Sequence, residues 1–167
     1  MDITWRGVFT SDEVNLLHAE AFGTRLFDVS EWDWRRLVAD HSLGWVTARD
    51  VTARDVTARD VTARDVTARD VTARDVTARN VTVGDTGRLV GFVNVVWDGL
   101  VHAWLQDVMV AADARHLGIG RQIVAAARDG ARAAGCEWLH VDFDDDLASF
   151  YLDACGFRPT QAGLLQL

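Results

Sequence analysis

The chain contains no lysine; all 17 of its basic side chains are arginine. That absence excludes a Schiff-base lysine, a P-loop lysine and the ATP-anchoring lysine of a kinase. Cysteine is scarce too, with Cys136 and Cys155 alone, too few for a disulfide framework. No CxxC or Cys/His cluster offers zinc a ligand set, so no metal is expected and both thiols read as packing residues. No run approaches the roughly 18 consecutive apolar residues of a membrane span. Met1–Arg6 lacks the charged-then-apolar layout of a secretion signal. The expected setting is the cytoplasm, with reduced thiols and no membrane partner.

What is present is acidic and apolar in good measure. The 167 residues carry 25 acidic against 17 basic side chains, a net charge of −8, and 49% are hydrophobic. That length and apolar content suit one domain with a real core. The negative field repels phosphate, so no nucleic-acid partner is expected.

From Val46 to Asn80 the unit Val-Thr-Ala-Arg-Asp recurs seven times, the last copy ending in Asn80. A degenerate eighth copy, Val81-Thr82-Val83-Gly84-Asp85, follows. The reading is one domain over 1–167 with residues 46–80 as an inserted tandem repeat. A period of five turns successive valines to opposite faces of a strand, and it advances them by about 140° around a helix. Neither form gains an apolar face. A poorly packed insertion, a solenoid stub, a long hairpin and a helix all stay open. Gly44-Trp45-Val46-Thr47 reads as a strand start and Gly84-Asp85-Thr86-Gly87 as a turn, so the repeat interrupts a strand-turn-strand unit. Because the copies are nearly identical, several of them compete for one strand slot, and slippage or swapping is expected to be a hazard.

Elsewhere the pattern predicts a strand over 3–9 and a helix from about Ser11, with Ser11 as its cap, to Phe22. A second helix is expected to open at Ser30-Glu31-Trp32 and to bury Trp32, Trp34, Leu37 and Val38. Strands over 88–97 and 101–110 follow, then an alanine-rich helix over 120–134 that Gly130 weakens. A strand over 138–143, a short helix over 147–154 and a final strand over 163–167 complete the order.

Two constellations carry chemistry. Val108-Met109-Val110 leads through a loop to Arg115-His116-Leu117-Gly118-Ile119-Gly120-Arg121, a strand, two spaced glycines and a helix start. Unpaired amides and the positive end of the helix dipole make such a turn an anion cradle. The spacing fits neither a Rossmann fingerprint nor a P-loop. About thirty residues on comes Ala148-Ser149-Phe150-Tyr151-Leu152-Asp153-Ala154-Cys155-Gly156-Phe157.

Together these segments resemble the GNAT (Gcn5-related N-acetyltransferase) superfamily. Arg115-x-x-Gly118-x-Gly120 matches its acetyl-CoA motif, and Ala148-x-x-Tyr151 with Gly156-Phe157 is similar to its C-terminal segment, with one extra residue before the glycine. The resemblance implies an α/β fold, a mixed and mostly antiparallel sheet flanked by helices, with the repeat inserted before or within the second strand. It implies acetyl transfer from acetyl-CoA to a primary amine of a small molecule or peptide, by direct attack in a ternary complex. A homodimer is compatible with it. It assigns Met109 and Val110 to the pantetheine arm, and the stretch Arg115, His116, Gly118, Ile119, Gly120 and Arg121 to the pyrophosphate. Tyr151, the chain's one tyrosine, would protonate the departing thiolate, and the Val110 amide would meet the growing negative charge.

Departures from the family pattern stand beside it. His116 and Leu117 occupy positions that are usually basic, and Asp145 or Asp146 replaces a common asparagine. For the base that deprotonates the amine, Asp107, His140 and Asp142 are the candidates, with His102 behind them. The acidic run Asp142, Asp144, Asp145 and Asp146 reads as a solvated loop or as an attractor of a cationic acceptor. A CoA-binding domain without turnover that presents the repeat is the competing reading, and another acyl donor is a third.

Overall fold

The computed structural model describes residues 1–51 and 87–166. Five strands form one sheet in sequence order: β1 (Asp2–Trp5), β2 (Ser42–Asp50), β3 (Arg88–Trp97), β4 (His102–Val110) and β5 (Trp138–Val141). Neighbours are antiparallel except β4 and β5, which run parallel across the crossover helix α3 (Ile119–Ala133). The helices α1 (Ser11–Phe22) and α2 (Trp34–His41) join β1 to β2. Beyond β5 lie a 3₁₀ turn, Asp145–Leu147, and a short π-helical segment, Ser149–Ala154.

The two faces of the sheet can be read from adjacent residues of β3, since neighbouring side chains in a strand point oppositely. Phe92 meets Trp34 of α2 at 5.7 Å and Phe9 at 5.2 Å. A Cβ at Gly91 would lie 3.3 Å from Ile119 of α3. Thus α1 and α2 cover one face and α3 the other. β3 is buried almost end to end, as a central strand covered on both faces should be. Trp34 is fully buried, and its indole N–H donates to Asn15 Oδ1 at 2.8 Å, which satisfies its polar edge inside the core.

Several local expectations shift. The first strand stops at Trp5, because Arg6 takes a left-handed φ of 54° and its N–H donates to the Trp45 carbonyl. Thr10, not Ser11, caps α1 and forms a reciprocal capping box with Glu13. Ser11 donates instead to Asp33 at 2.6 Å. Asp33 in turn caps α2, so that helix begins at Trp34 rather than near Ser30. Gly130 has a packing reason in the middle of α3: a side chain there would run into the Trp5 ring. β5 ends two residues early, at Val141. No strand forms over 163–166, where Leu164 and Leu165 stand exposed.

The first repeat copy, Val46–Asp50, is the second half of β2, paired with β1 on one side and β3 on the other. Val46 and Ala48 are fully buried. Arg49, 5% exposed, grips Glu13 with two N–H donors at 2.8 and 2.9 Å and donates also to the carbonyls of Val8 and Gly87. The later copies from residue 52 onward, and the turn expected at 84–87 up to residue 86, lie outside the described residues.

Candidate active site

The ladder between β4 and β5 runs from His102 opposite Trp138 to Leu105 opposite Val141, and ends there. From Gln106 onward β4 continues alone on that side, still paired with β3 on the other. The change coincides with a bulge: two residues of β4, Asp107 and Val108, stand opposite one of β3, Val93, and Asp107 takes a left-handed φ of 54°. The Ala111 amide donates to the Val90 carbonyl at 2.9 Å. By alternation, the N–H and C=O of Val110 point to the opposite edge, where no strand faces them among the described residues. The Val110 carbonyl there accepts from Arg115 Nε at 3.2 Å. Met109 is fully buried, its backbone opposite Phe92.

Past β4 the chain makes a 3₁₀ turn, Ala112–Ala114, and then the glycine turn. His116 and Gly118 both adopt left-handed φ, 62° and 76°. Gly118 is the residue before α3, and no side chain among the described residues caps that helix start. Space above Gly118 is open, with only Gln122 at 4.0 Å from an added Cβ. Arg115, His116, Gly118 and Arg121 are exposed, whereas Ile119 is buried in the core. Gly120 has a different reason for being glycine: a Cβ would sit 3.1 Å from the Phe150 ring.

Phe150 belongs to the Ser149–Ala154 segment, which it thereby sets against the first turn of α3. The next residue, Tyr151, is 4% exposed and stacks on Phe143 at 4.9 Å, with Phe150 and Phe157 edge-on. Burial, with a smaller contribution from the nearby Cys155 thiol, pushes its phenol up to about 12. A phenol so placed keeps its proton at neutral pH. Burial also raises both thiols, Cys136 and Cys155, which fits packing residues rather than nucleophiles.

Of the three expected bases, Asp107 is half-buried at the bulge, and burial raises its carboxyl above the ordinary range. It has no hydrogen bond or ion pair within the described residues. Asp142 is exposed beyond the end of β5, with Asp144, Asp145 and Asp146 equally solvated. His140 lies on β5 before the strands part. Its Nε2 is 2.8 Å from His102 Nδ1, and its ring stacks on Trp104 at 4.9 Å. The pairing of His102 with His140 was not visible in sequence, because the two are 38 residues apart and meet only through strand register. Among the described residues no three His, Cys, Asp or Glu side chains gather as metal ligands.

A groove of about 650 Å³ runs along α3 from Arg121 to Arg128. It is lined by Val124, Leu139 and Phe157 together with Arg121, Arg128 and Arg158. No sequence signal marked it, since its walls come from three separate elements.

Residues 18–157 match the acetyltransferase (GNAT) family model. The chain belongs to the GNAT acetyltransferase family. Solved structures agree at the level of fold. An acetyltransferase from Trypanosoma brucei is 18% identical, with a TM-score of 0.63 over 99% of this chain and 100% of its own. Glucosamine-6-phosphate N-acetyltransferase from Arabidopsis thaliana is 14% identical, with a TM-score of 0.61 over 100% of this chain and 99% of its own. A transcriptional regulator from Bacillus halodurans C-125 is equally similar, 18% identical with a TM-score of 0.64 over 99% of each chain. No curated protein matches the sequence. The architecture expected from the GNAT resemblance, a mostly antiparallel mixed sheet flanked by helices, is the one observed. No helix among the described residues is long and apolar enough to cross a membrane.

Proposed function

We propose that this GNAT protein transfers an acetyl group from acetyl-CoA to a primary amine of a small molecule or peptide. The observation that carries the reading is the free edge of β4 from Gln106 to Val110, with the half-buried carboxyl of Asp107 on the same strand and the buried phenol of Tyr151 on the segment after β5. The residues present fit CoA. An extended amide-bearing arm can lie along that edge beside the outward-facing backbone of Val110, whereas Met109, assigned to the arm by the resemblance, turns its N–H and C=O toward β3. The open turn from Arg115 to Arg121 offers backbone N–H groups and a helix start to two phosphates. The arginine-lined groove beside α3 suits the nucleotide end, and it supplies the positive charge that His116 and Leu117 do not.

Acetyl-CoA brings an activated thioester, so the protein's task is positioning and proton transfer. Asp107 takes the proton from the incoming ammonium; its raised carboxyl is a better match to that task than an exposed aspartate. The Val110 N–H faces the oxygen that gains negative charge. Tyr151 gives its proton to the departing sulfur. Direct attack requires no acyl-enzyme, in keeping with thiols that burial holds protonated.

The reading is tested by following thiol release from acetyl-CoA against a panel of polyamines, aminoglycosides, aromatic amines and N-terminal peptides. Turnover with any of them, lost in Asp107→Asn, is the expected result. Saturable CoA binding with no turnover on any amine would favour a binding domain instead.

A further inference from the structure

The turn Ala112–Ala114 is held from two sides by groups far away in sequence. On one side Glu20, near the end of α1, accepts the Ala112 N–H through Oε1 at 2.6 Å, across 92 residues. On the other side Arg88, the first residue of β3, grips Asp113 with Nη2 at 2.8 and 2.7 Å from its two carboxylate oxygens. This turn leads directly into the amides of 115–121. Rotating it re-aims every one of them.

Neither contact has the character of a stability device. Arg88 is 42% and Asp113 66% exposed, and such pairs contribute little to folding. Glu20 is exposed as well. Two carboxylates beside a turn that receives phosphates would moreover oppose the ligand by charge alone. Their position makes sense if geometry outweighs that repulsion.

We propose that Glu20 and the Arg88–Asp113 pair are positioning residues for the cofactor loop, fixing the direction of its backbone donors. This rests on the assignment of acetyl-CoA to the 115–121 turn. Arg88 also ties the loop to the root of the repeat. It stands opposite Asp50 in the β2–β3 ladder, and the preceding Gly87 carbonyl is held by Arg49. The cofactor loop is thereby clamped to the two strand ends from which residues 52–86 depart.

The sign of the effect separates positioning from plain electrostatics. Titration calorimetry with acetyl-CoA and with CoA on the full chain provides it. Glu20→Ala and Asp113→Ala each delete a negative charge. Electrostatics alone would tighten binding, whereas positioning weakens it, by about two- to tenfold per contact. Glu20→Gln keeps an oxygen acceptor and returns affinity to the wild-type value or better. The exchange Arg88→Asp with Asp113→Arg recovers affinity that either single change loses. Melting of the ligand-free variants stays within about a degree of wild type, as exposed contacts require. Tighter binding in Glu20→Ala or Asp113→Ala overturns the proposal. So does equal loss in Glu20→Gln and Glu20→Ala. Absence of binding by the wild-type chain would instead remove the cofactor assignment, and the clamp's role with it.

Discussion

Burial holds the proton on both Tyr151 and Asp107, and each proposed role makes a prediction of definite sign. Tyr151→Phe removes one oxygen from a ring held by Phe143, Phe150 and Phe157. It should lower kcat about 100-fold while leaving the acetyl-CoA Kd nearly unchanged, as single-turnover rates and calorimetry can show. Asp107 is raised by burial, so the folded chain holds that proton at pH values where the unfolded chain has released it. Stability from this group therefore falls as pH rises from the ordinary aspartate range through the raised value. Asp107→Asn should melt higher than wild type at pH 7, with the difference shrinking in acid, and should lose turnover. A lower melting point at pH 7 would show that the carboxylate is stabilised by its surroundings. Tyr151 and the glycine turn were singled out in the sequence through their resemblance to two family motifs. What separated Asp107 from Asp142 was not, because the two look alike until the bulge buries one and the end of β5 exposes the other.

At the scale of elements, the repeat shows what a sequence pattern can and cannot convey. Every copy has the residues that fill the β2 slot, so nothing within the unit says which copy takes it. The flank decides. A slip by one copy would bring Ala48 to the place of Leu43, a buried core residue, and Asp50 to that of Trp45, whose indole N–H donates to the Gly7 carbonyl at 2.7 Å. It would also bring Arg49 to the place of Gly44, where any side chain meets the Trp5 ring. A slip that moves the flank would therefore displace Leu43, Gly44 and Trp45 from the places they fill. Arg49→Ala tests this. Stranding buried Glu13 costs about 3–5 kcal/mol. The loss should be the same in the full chain and in one lacking residues 51–80, by urea unfolding. Rescue in the full chain would mean that a later copy had replaced the first. Gly118→Ala belongs to this scale too. At φ 76° a side chain costs about 1–2 kcal/mol and should weaken CoA binding together with stability.

At the scale of the whole molecule, fold class and most of the order of elements were legible because apolar runs, glycines and two family motifs fall in the right sequence. The contacts that aim the site were not, because Glu20 with Ala112, Arg88 with Asp113 and His102 with His140 pair across 92, 25 and 38 residues. Pairing of that kind follows from register and helix placement, and leaves no local signature. The same separation of parts predicts that deletion of residues 51–80, which joins Asp50 to Val81, leaves the acetyl-CoA affinity unchanged. The first copy already completes β2, and the proposed site lies on β4, α3 and the segments after β5. Everything proposed for that site depends on one ligand. Thermal unfolding with and without acetyl-CoA, with CoA and ATP for comparison, tests it most directly. At 100 times its Kd a ligand adds about 2.7 kcal/mol of apparent stability, a rise of several degrees in Tm. The account predicts that rise with acetyl-CoA and CoA and none with ATP; a flat response to saturating acetyl-CoA would contradict it.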